Sequence, residues 1–327
     1  MHESPILQVR DMRVHFKVKS RSGLPWGKPQ SLKAVDGVSF DLHAGETLCV
    51  VGESGCGKST LARAILNLVP RTEGNVVWMG KTLDSHAQKD WHEVRKDIQI
   101  IFQDPLASLD PRMTVAQIIA EPLQVHRPEM SKSERMERVR AMMAKVGLRD
   151  DMVNRYAHEF SGGQCQRIGI ARALIIEPKL VVCDEPVSAL DVSIQAQIVN
   201  LLKALQKEMG LALIFISHDL AVVKHISDRV LVMYLGHVME LADKHALYAS
   251  PRHPYTRALL SAIPIPDPVV ERNKVVQILA NDIPSPINPP SGCVFHTRCP
   301  IAESRCAQEV PALRAITPDD AAACLLA

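Results

Sequence analysis

Apolar and polar positions divide this chain into short strand-like runs and longer helical stretches, and the alternation between them outlines a fold. Residues 6–16 and 34–42 read as short strands. The stretch from Lys17 to Lys33 between them is polar and broken by Gly23, Pro25, Gly27 and Pro29, which predicts a surface loop in a hairpin-like entry region. Thr47–Val51 is a strand-like run, Leu61 to Leu68 is helical, and Gly74 to Met79 and Ile98 to Phe102 return to strand character.

From Pro105 to Phe160 the pattern turns helical. Val115, Ile118, Ile119 and Leu123 recur at helical spacing, and Ser131 with Glu134 forms a capping box opening a helix through Met142 and Val146 to Gly147. This predicts a helical insertion, about 105–160, between two strands. Ser161-Gly162-Gly163-Gln164 then precedes a helix through Ile168 and Leu174. Leu180 to Cys183 and Leu211 to Ile216 are continuous apolar runs, as strands buried on both faces of a parallel sheet are. Between them Asp191 or Ser193 can cap a helix carrying Ile194, Ile198, Leu201, Leu202 and Leu205, which ends at Gly210. Strands alternating with helices predict an α/β fold with a parallel, helix-covered sheet, whose ligand site lies at the carboxyl ends of the strands.

Polar groups follow those strands. Gly52-Glu53-Ser54-Gly55-Cys56-Gly57-Lys58-Ser59-Thr60 contains the full G-x-x-x-x-G-K-S spacing of a phosphate-binding loop. Glycines let the backbone wrap close to phosphate oxygens, so that N–H groups and the next helix's N-terminus point at negative charge. Lys58 can reach the β/γ-phosphates, and the Ser59 hydroxyl can ligate magnesium. Asp184 suits magnesium ligation, Glu185 can polarise a water as general base, and His218 can orient that water beside the γ-phosphate. Gln103, Asp184-Glu185 and His218 each end a predicted strand, so all are expected at one sheet edge with the loop. The bland alternatives are a helix cap for the acid pair and a backbone-satisfied histidine.

Composition narrows the classes. The chain has 327 residues, 46% apolar and 23% charged, enough for one large or two modest cores. A net charge of +2 gives no reason to expect nucleic acid as a partner. The longest apolar runs fall short of the roughly 20 residues that span a bilayer, and Met1 to Arg13 does not read as a signal peptide. The expected compartment is cytosolic, with the cysteines reduced, metal-bound or inert. Twelve of the 22 prolines lie in 251–327, and Cys293, Cys299, Cys306 and Cys324 fall in the last 35 residues. We therefore expect a boundary near residue 250, with a loop-rich appendage over 251–327.

The phosphate loop, Gln103, Ser161 to Gln164, Leu180 to Glu185, Ser188-Ala189-Leu190-Asp191 and His218 together resemble the nucleotide-binding subunit of ATP-binding-cassette (ABC) transporters. The SGGQ segment 23 residues before Asp184 is the discriminating mark. The resemblance spans about residues 6–245 and implies a parallel core, an antiparallel β subdomain and the helical insertion. It implies that Phe16 stacks on adenine, that Gln103 ligates magnesium and senses the membrane partner, and that Lys58, Glu185 and His218 are catalytic. It further implies a head-to-tail pair of cassettes, in which Ser161, Gly162, Gly163 and Gln164 serve the partner's ATP and Asp191 lies at the seam. Phe160, where leucine is common, and Cys165, where a basic residue is common, depart from the pattern without removing a phosphate contact.

Arg252 to Leu260, Pro284 to Cys293 and the later cysteines look like the C-terminal extension of oligopeptide and dipeptide importer ATPases, which also serve nickel and some sugar importers. Ala34 to Ser39 and Met142 to Leu148 most resemble the dipeptide branch usually encoded last in its operon. The tail thiols, with 5, 6 and 17 intervening residues, lack the knuckles of a zinc ribbon and suit a [4Fe–4S] cluster. Zinc, or plain reduced cysteines, are the other readings. The resemblance implies ATP and Mg²⁺ as cofactors and a second, paralogous cassette. It also implies two transmembrane permease subunits, a periplasmic or extracellular peptide-binding protein, and a peripheral place at the cytoplasmic face of the inner membrane. The competing class is a soluble cassette protein acting on ribosomes or DNA; such proteins usually carry two cassettes or a long coiled coil.

Overall fold

A computed structural model describes residues 4–18, 30–264, 267–274, 276–317 and 320–327. In chain order the elements are β1 (Leu7–Val18), β2 (Gln30–Leu42), β3 (Thr47–Val51), α1 (Lys58–Ile65), β4 (Glu73–Trp78) and β5 (Lys81–Leu83). Then follow α2 (Gln88–Val94), β6 (Ile98–Ile101), α3 (Val115–His126), α4 (Lys132–Lys145), α5 (Gly162–Leu174), β7 (Leu180–Asp184), α6 (Val192–Met209) and β8 (Ala212–Ile216). The last third holds α7 (Leu220–Ile226), β9 (Arg229–Tyr234), β10 (His237–Asp243), α8 (Lys244–Ala249), α9 (Pro254–Ser261), α10 (Pro268–Asn273), β11 (Arg314–Thr317) and β12 (Asp320–Ala322). No helix among the described residues is long and apolar enough to cross a membrane. The chain forms two compact units, one of Met1–Leu42, Leu48–Ser85 and His218–Ala327, the other of His43–Thr47 and His86–Ser217.

The first unit carries an antiparallel sheet in the order β2-β1-β4-β5, and a second strand set in the order β11-β12-β10-β9-β3. β1 and β2 pair from Leu7 opposite Leu42 out to Val18 opposite Gln30, so Lys17, Val18 and Gln30 to Lys33 are strand and not the expected loop. Cross-strand hydrogen bonds satisfy those polar residues' backbones, and pairing overrides a composition that reads as loop. The rest of that loop lies outside the described residues. β3 runs parallel to β9, with Leu48 opposite Arg229 and Val51 opposite Val232, and is buried along its whole length.

The C-terminal segment is stitched into the same unit. β12 pairs antiparallel with β10, Glu240 facing Ala322 and Ala242 facing Asp320. Arg252 Nε donates to the buried Asp320 carboxylate at 2.7 Å. The fully buried Glu240 carboxylate accepts the backbone N–H groups of Arg252 and His253, both at 2.8 Å. Loss of such partners would strand a buried charge, so these bonds fix where the tail begins. The His253 ring caps α9, its Nδ1 accepting the Tyr255 N–H at 3.1 Å, with Pro254 at the first helical position.

In the second unit β8, β7 and β6 are parallel neighbours, and every residue of β7 and β8 is buried. Such strands, apolar but for Asp184 at the end of β7, are what a sheet covered on both faces requires. α3 opens with the Thr114–Gln117 capping box and α4 with that of Ser131 and Glu134, where the spacing placed it. α3 packs on α5 and α4. Arg167 donates to the Val146 carbonyl at 2.6 Å and Arg172 to that of Ser108 at 2.6 Å, so two α5 arginines hold the segment that precedes it. Asp191, rather than Ser193, caps α6 by accepting from Ile194 N–H at 3.1 Å.

Candidate active site

The phosphate loop sits in the first unit between β3 and α1. Gly57 is the N-cap of α1 at φ 104°, and a Cβ there would lie 2.0 Å from the Ala34 carbonyl oxygen. Gly52, at φ 152°, would drive a Cβ within 2.2 Å of the Met233 carbonyl. Both positions therefore require glycine, and neighbouring backbone moulds the loop tightly. Lys58 is buried, its Nζ donating to the carbonyls of Gly52 at 2.9 Å and Glu53 at 3.1 Å. A glycine-rich turn leading into a helix N-terminus, with a lysine folded across it, is a cradle for an anion. Cys56 lies in it with a buried thiol, which burial pushes above the usual range. Ser59 and Thr60 follow in the first turn of α1, and Ser54 and Gly55 form the exposed rim.

Sequence reasoning missed what grips this loop from behind. Arg298 makes a two-pronged ion pair with Glu53, Nη1 to Oε2 at 2.7 Å and Nη2 to Oε1 at 3.1 Å. The Glu53 N–H donates to the hydroxyl of the fully buried Tyr255 at 2.9 Å. The Arg298 guanidinium also lies 5.8 Å from the centre of the Tyr234 ring, and the Glu53 carboxylate holds its pKa up. Burial pushes the Tyr234 and Tyr255 hydroxyls up, which keeps both protonated and neutral while their oxygens accept from Arg298 and from the Glu53 N–H. No local pattern signals a pair separated by 245 residues.

The first unit also carries His218 and Phe16. His218 is exposed just ahead of Asp219, which caps α7 by accepting from Ala221 and Val222 N–H groups. Phe16 lies in β1 opposite Leu32 with 39% of its surface exposed, an apolar face available to a flat partner.

The second unit holds the acidic pair and the SGGQ segment. Asp184 ends β7 fully buried, and Glu185 follows at φ 47°. A non-glycine residue in that region costs of order 1–3 kcal/mol, and such strain clusters where a side chain must be aimed. Gln103 Nε2 donates to Glu185 Oε2 at 3.3 Å, so two candidates 82 residues apart are brought together. The Glu185 carbonyl accepts from the Ser188 hydroxyl at 3.1 Å, which holds the turn. Ser161 and Gln164 form a reciprocal capping box at the start of α5. Gly162 and Gly163 fall in its first turn, and a Cβ on Gly163 would meet Ile194 of α6 at 2.6 Å. Asp191 is exposed, and the Ser193 hydroxyl holds its carboxyl below the usual range.

None of the eight cysteines is in a disulfide. Cys293, Cys299, Cys306 and Cys324 line one cavity of about 20 Å³ together with His253, Pro254, Phe295 and His296. Burial pushes the Cys293 thiol up to about 11, with the other three thiols adding to the rise. Among the described residues no three His, Cys, Asp or Glu side chains stand in a metal-holding arrangement. In kind and number the four donors fit a four-thiolate centre.

Comparison with known proteins agrees with this geometry. Residues 35–188 match the ABC transporter family, and residues 239–306 match the oligopeptide/dipeptide transporter C-terminal region. A dimeric ATP-binding cassette solved in a post-hydrolysis state with ADP and phosphate superposes with a TM-score of 0.65 at 28% identity, covering 73% of this chain and 98% of that one. The oligopeptide transport ATP-binding protein OppF of Escherichia coli is 66% identical over 94% of this chain and 92% of its own length. OppF of Haemophilus influenzae is 64% identical over 98% and 96%. The chain belongs to the ABC ATPase family, in its oligopeptide/dipeptide transporter group.

Proposed function

We propose that this chain hydrolyses ATP to drive uptake of short peptides through a membrane transporter. Its similarity to OppF proteins over nearly the whole length carries the reading and favours oligopeptides beside the dipeptides expected from sequence. Residues 52–60 would hold the phosphates through Lys58 and loop N–H groups other than that of Glu53, which Tyr255 takes, and Phe16 would stack on the base, worth about 1–3 kcal/mol. Ser59, Gln103 and Asp184 would hold magnesium, which would supply neutralisation of the phosphate charge. Glu185 would take a proton from the attacking water and His218 would orient it. Ser161 to Gln164 and Asp191 would act on the nucleotide of a second, paralogous cassette.

The partners in this reading are that cassette, two permease subunits and a solute-binding protein, with the chain peripheral on the cytoplasmic face of the membrane. The division into a cassette over 1–250 and an importer-type extension over 251–327 belongs to the same proposal. Glu185→Gln in the assembled transporter should retain ATP binding, trap a closed pair and lower ATPase turnover about a hundredfold. Near-normal steady-state turnover would rule Glu185 out as the base.

The same reading includes a [4Fe–4S] cluster on Cys293, Cys299, Cys306 and Cys324, pinning the proline-rich tail. Support comes from four thiols on one enclosed cavity. Protein purified without oxygen should contain iron and acid-labile sulfide in equal amounts. A colourless preparation with stoichiometric zinc would replace the cluster with zinc.

A further inference from the structure

Three groups of Glu53 are held at once. Its N–H donates to Tyr255, its carbonyl accepts from Lys58, and its carboxylate takes both prongs of Arg298. Two of these holds come from the C-terminal segment, and both lead directly to the thiol cavity. Arg298 immediately precedes Cys299, in a short helical turn over His296–Arg298 that follows Phe295. His296 and Phe295 line that cavity, and so do His253 and Pro254 at the start of the helix bearing Tyr255. The Phe295 ring is 5.3 Å from those of both Tyr234 and Tyr255. The thiols and the loop therefore share one tightly packed aromatic wall, and the Cys293 N–H, donating to the Cys306 carbonyl at 2.8 Å, ties the cysteine turns to each other.

An arginine fork fixes a carboxylate in both distance and plane, which a lysine would not. Arg298 has 7% of its side chain exposed, so the pair is held in a medium that screens it weakly. A rearrangement of the cysteine turn moves Arg298 with the backbone, and Glu53 is the second residue of the phosphate loop. The geometry points to Arg298 as a positioning residue for that loop, through which the four-cysteine cavity and the nucleotide site are coupled. Coupling is reciprocal: what alters the thiols changes nucleotide affinity, and nucleotide changes thiol reactivity. This rests on the reading that the loop holds ATP, and it gives the tail a second role besides stability.

The test compares the full chain with Arg298→Gln and Arg298→Lys. ATP binding is measured; separately, the full chain, reduced and freed of any bound metal, is alkylated with and without a non-hydrolysable analogue, and modification of Cys299 and Cys324 is mapped by mass spectrometry. The nucleotide analogue should slow alkylation of these two half-exposed thiols in the unaltered chain. Arg298→Gln should weaken ATP binding about tenfold and abolish that protection, with Arg298→Lys intermediate. In the assembled transporter KM for ATP should rise while kcat stays within about twofold, since Arg298 touches no reacting atom. Unchanged affinity in a folded Arg298→Gln, or alkylation indifferent to nucleotide in the unaltered chain, overturns the coupling. Failure of the unaltered chain to bind ATP overturns the ATPase reading instead. Should Arg298→Gln not fold, Arg298→Lys and Glu53→Gln decide the matter by the same two readouts.

Discussion

At the scale of single residues, groups that look alike in sequence have different occupations. Asp184 and Glu185 are adjacent, yet one closes a buried strand and the other turns out at a left-handed φ to meet Gln103. His253 shows how burial sets a charge state. Its imidazole is buried, its Nδ1 must stay unprotonated to accept from Tyr255, and burial holds its pKa down at about 4. The unfolded chain's histidine titrates near 6.5, so below that value the unfolded state binds the extra proton. The stabilisation is thus complete above about pH 6.5 and lost as pH falls toward 4, reaching about 3 kcal/mol. Urea unfolding at pH 7 and pH 4.5 should show this loss, and His253→Asn, which keeps a capping acceptor without the titration, should show a loss smaller by that amount. Equal losses in both proteins would remove His253 from the account.

At the scale of elements, the legible parts were those whose signal is local. The β7 and β8 runs announced burial on both faces, the Ser131 and Glu134 spacing marked the start of α4, and the glycine pattern of the phosphate loop marked the β3-to-α1 turn. The SGGQ segment was recognised by resemblance, while its local geometry proved to be a helix cap in which serine and glutamine serve each other. What stayed hidden depends on distant partners. Asp320-Ala321-Ala322 has no strand propensity and becomes β12 because β10 offers it an edge. Gln30 to Lys33 reads as loop and is strand for the same reason. Arg298 looked like any tail arginine, since its function in the structure depends wholly on Glu53.

At the scale of the whole molecule, the C-terminal segment belongs to the compact unit that holds the phosphate loop. Ending the chain at residue 250 would remove β12 from the β10 edge, leave the Glu240 carboxylate without its two N–H partners, and strip Arg298 and Tyr255 from Glu53. An open strand edge and an unpaired buried carboxylate both favour association over solubility. The truncated protein should therefore appear in the insoluble fraction, or as large aggregates by size-exclusion chromatography; a monodisperse truncation that still binds ATP would show these ties to be dispensable. For protein engineering, the pairing of Arg298 with Glu53 means that this extension is no free-standing cassette accessory. A chimaera that transplants it onto another ATPase must bring along the matching glutamate in the host's own loop, or the graft will arrive with a buried cation and nothing to receive it.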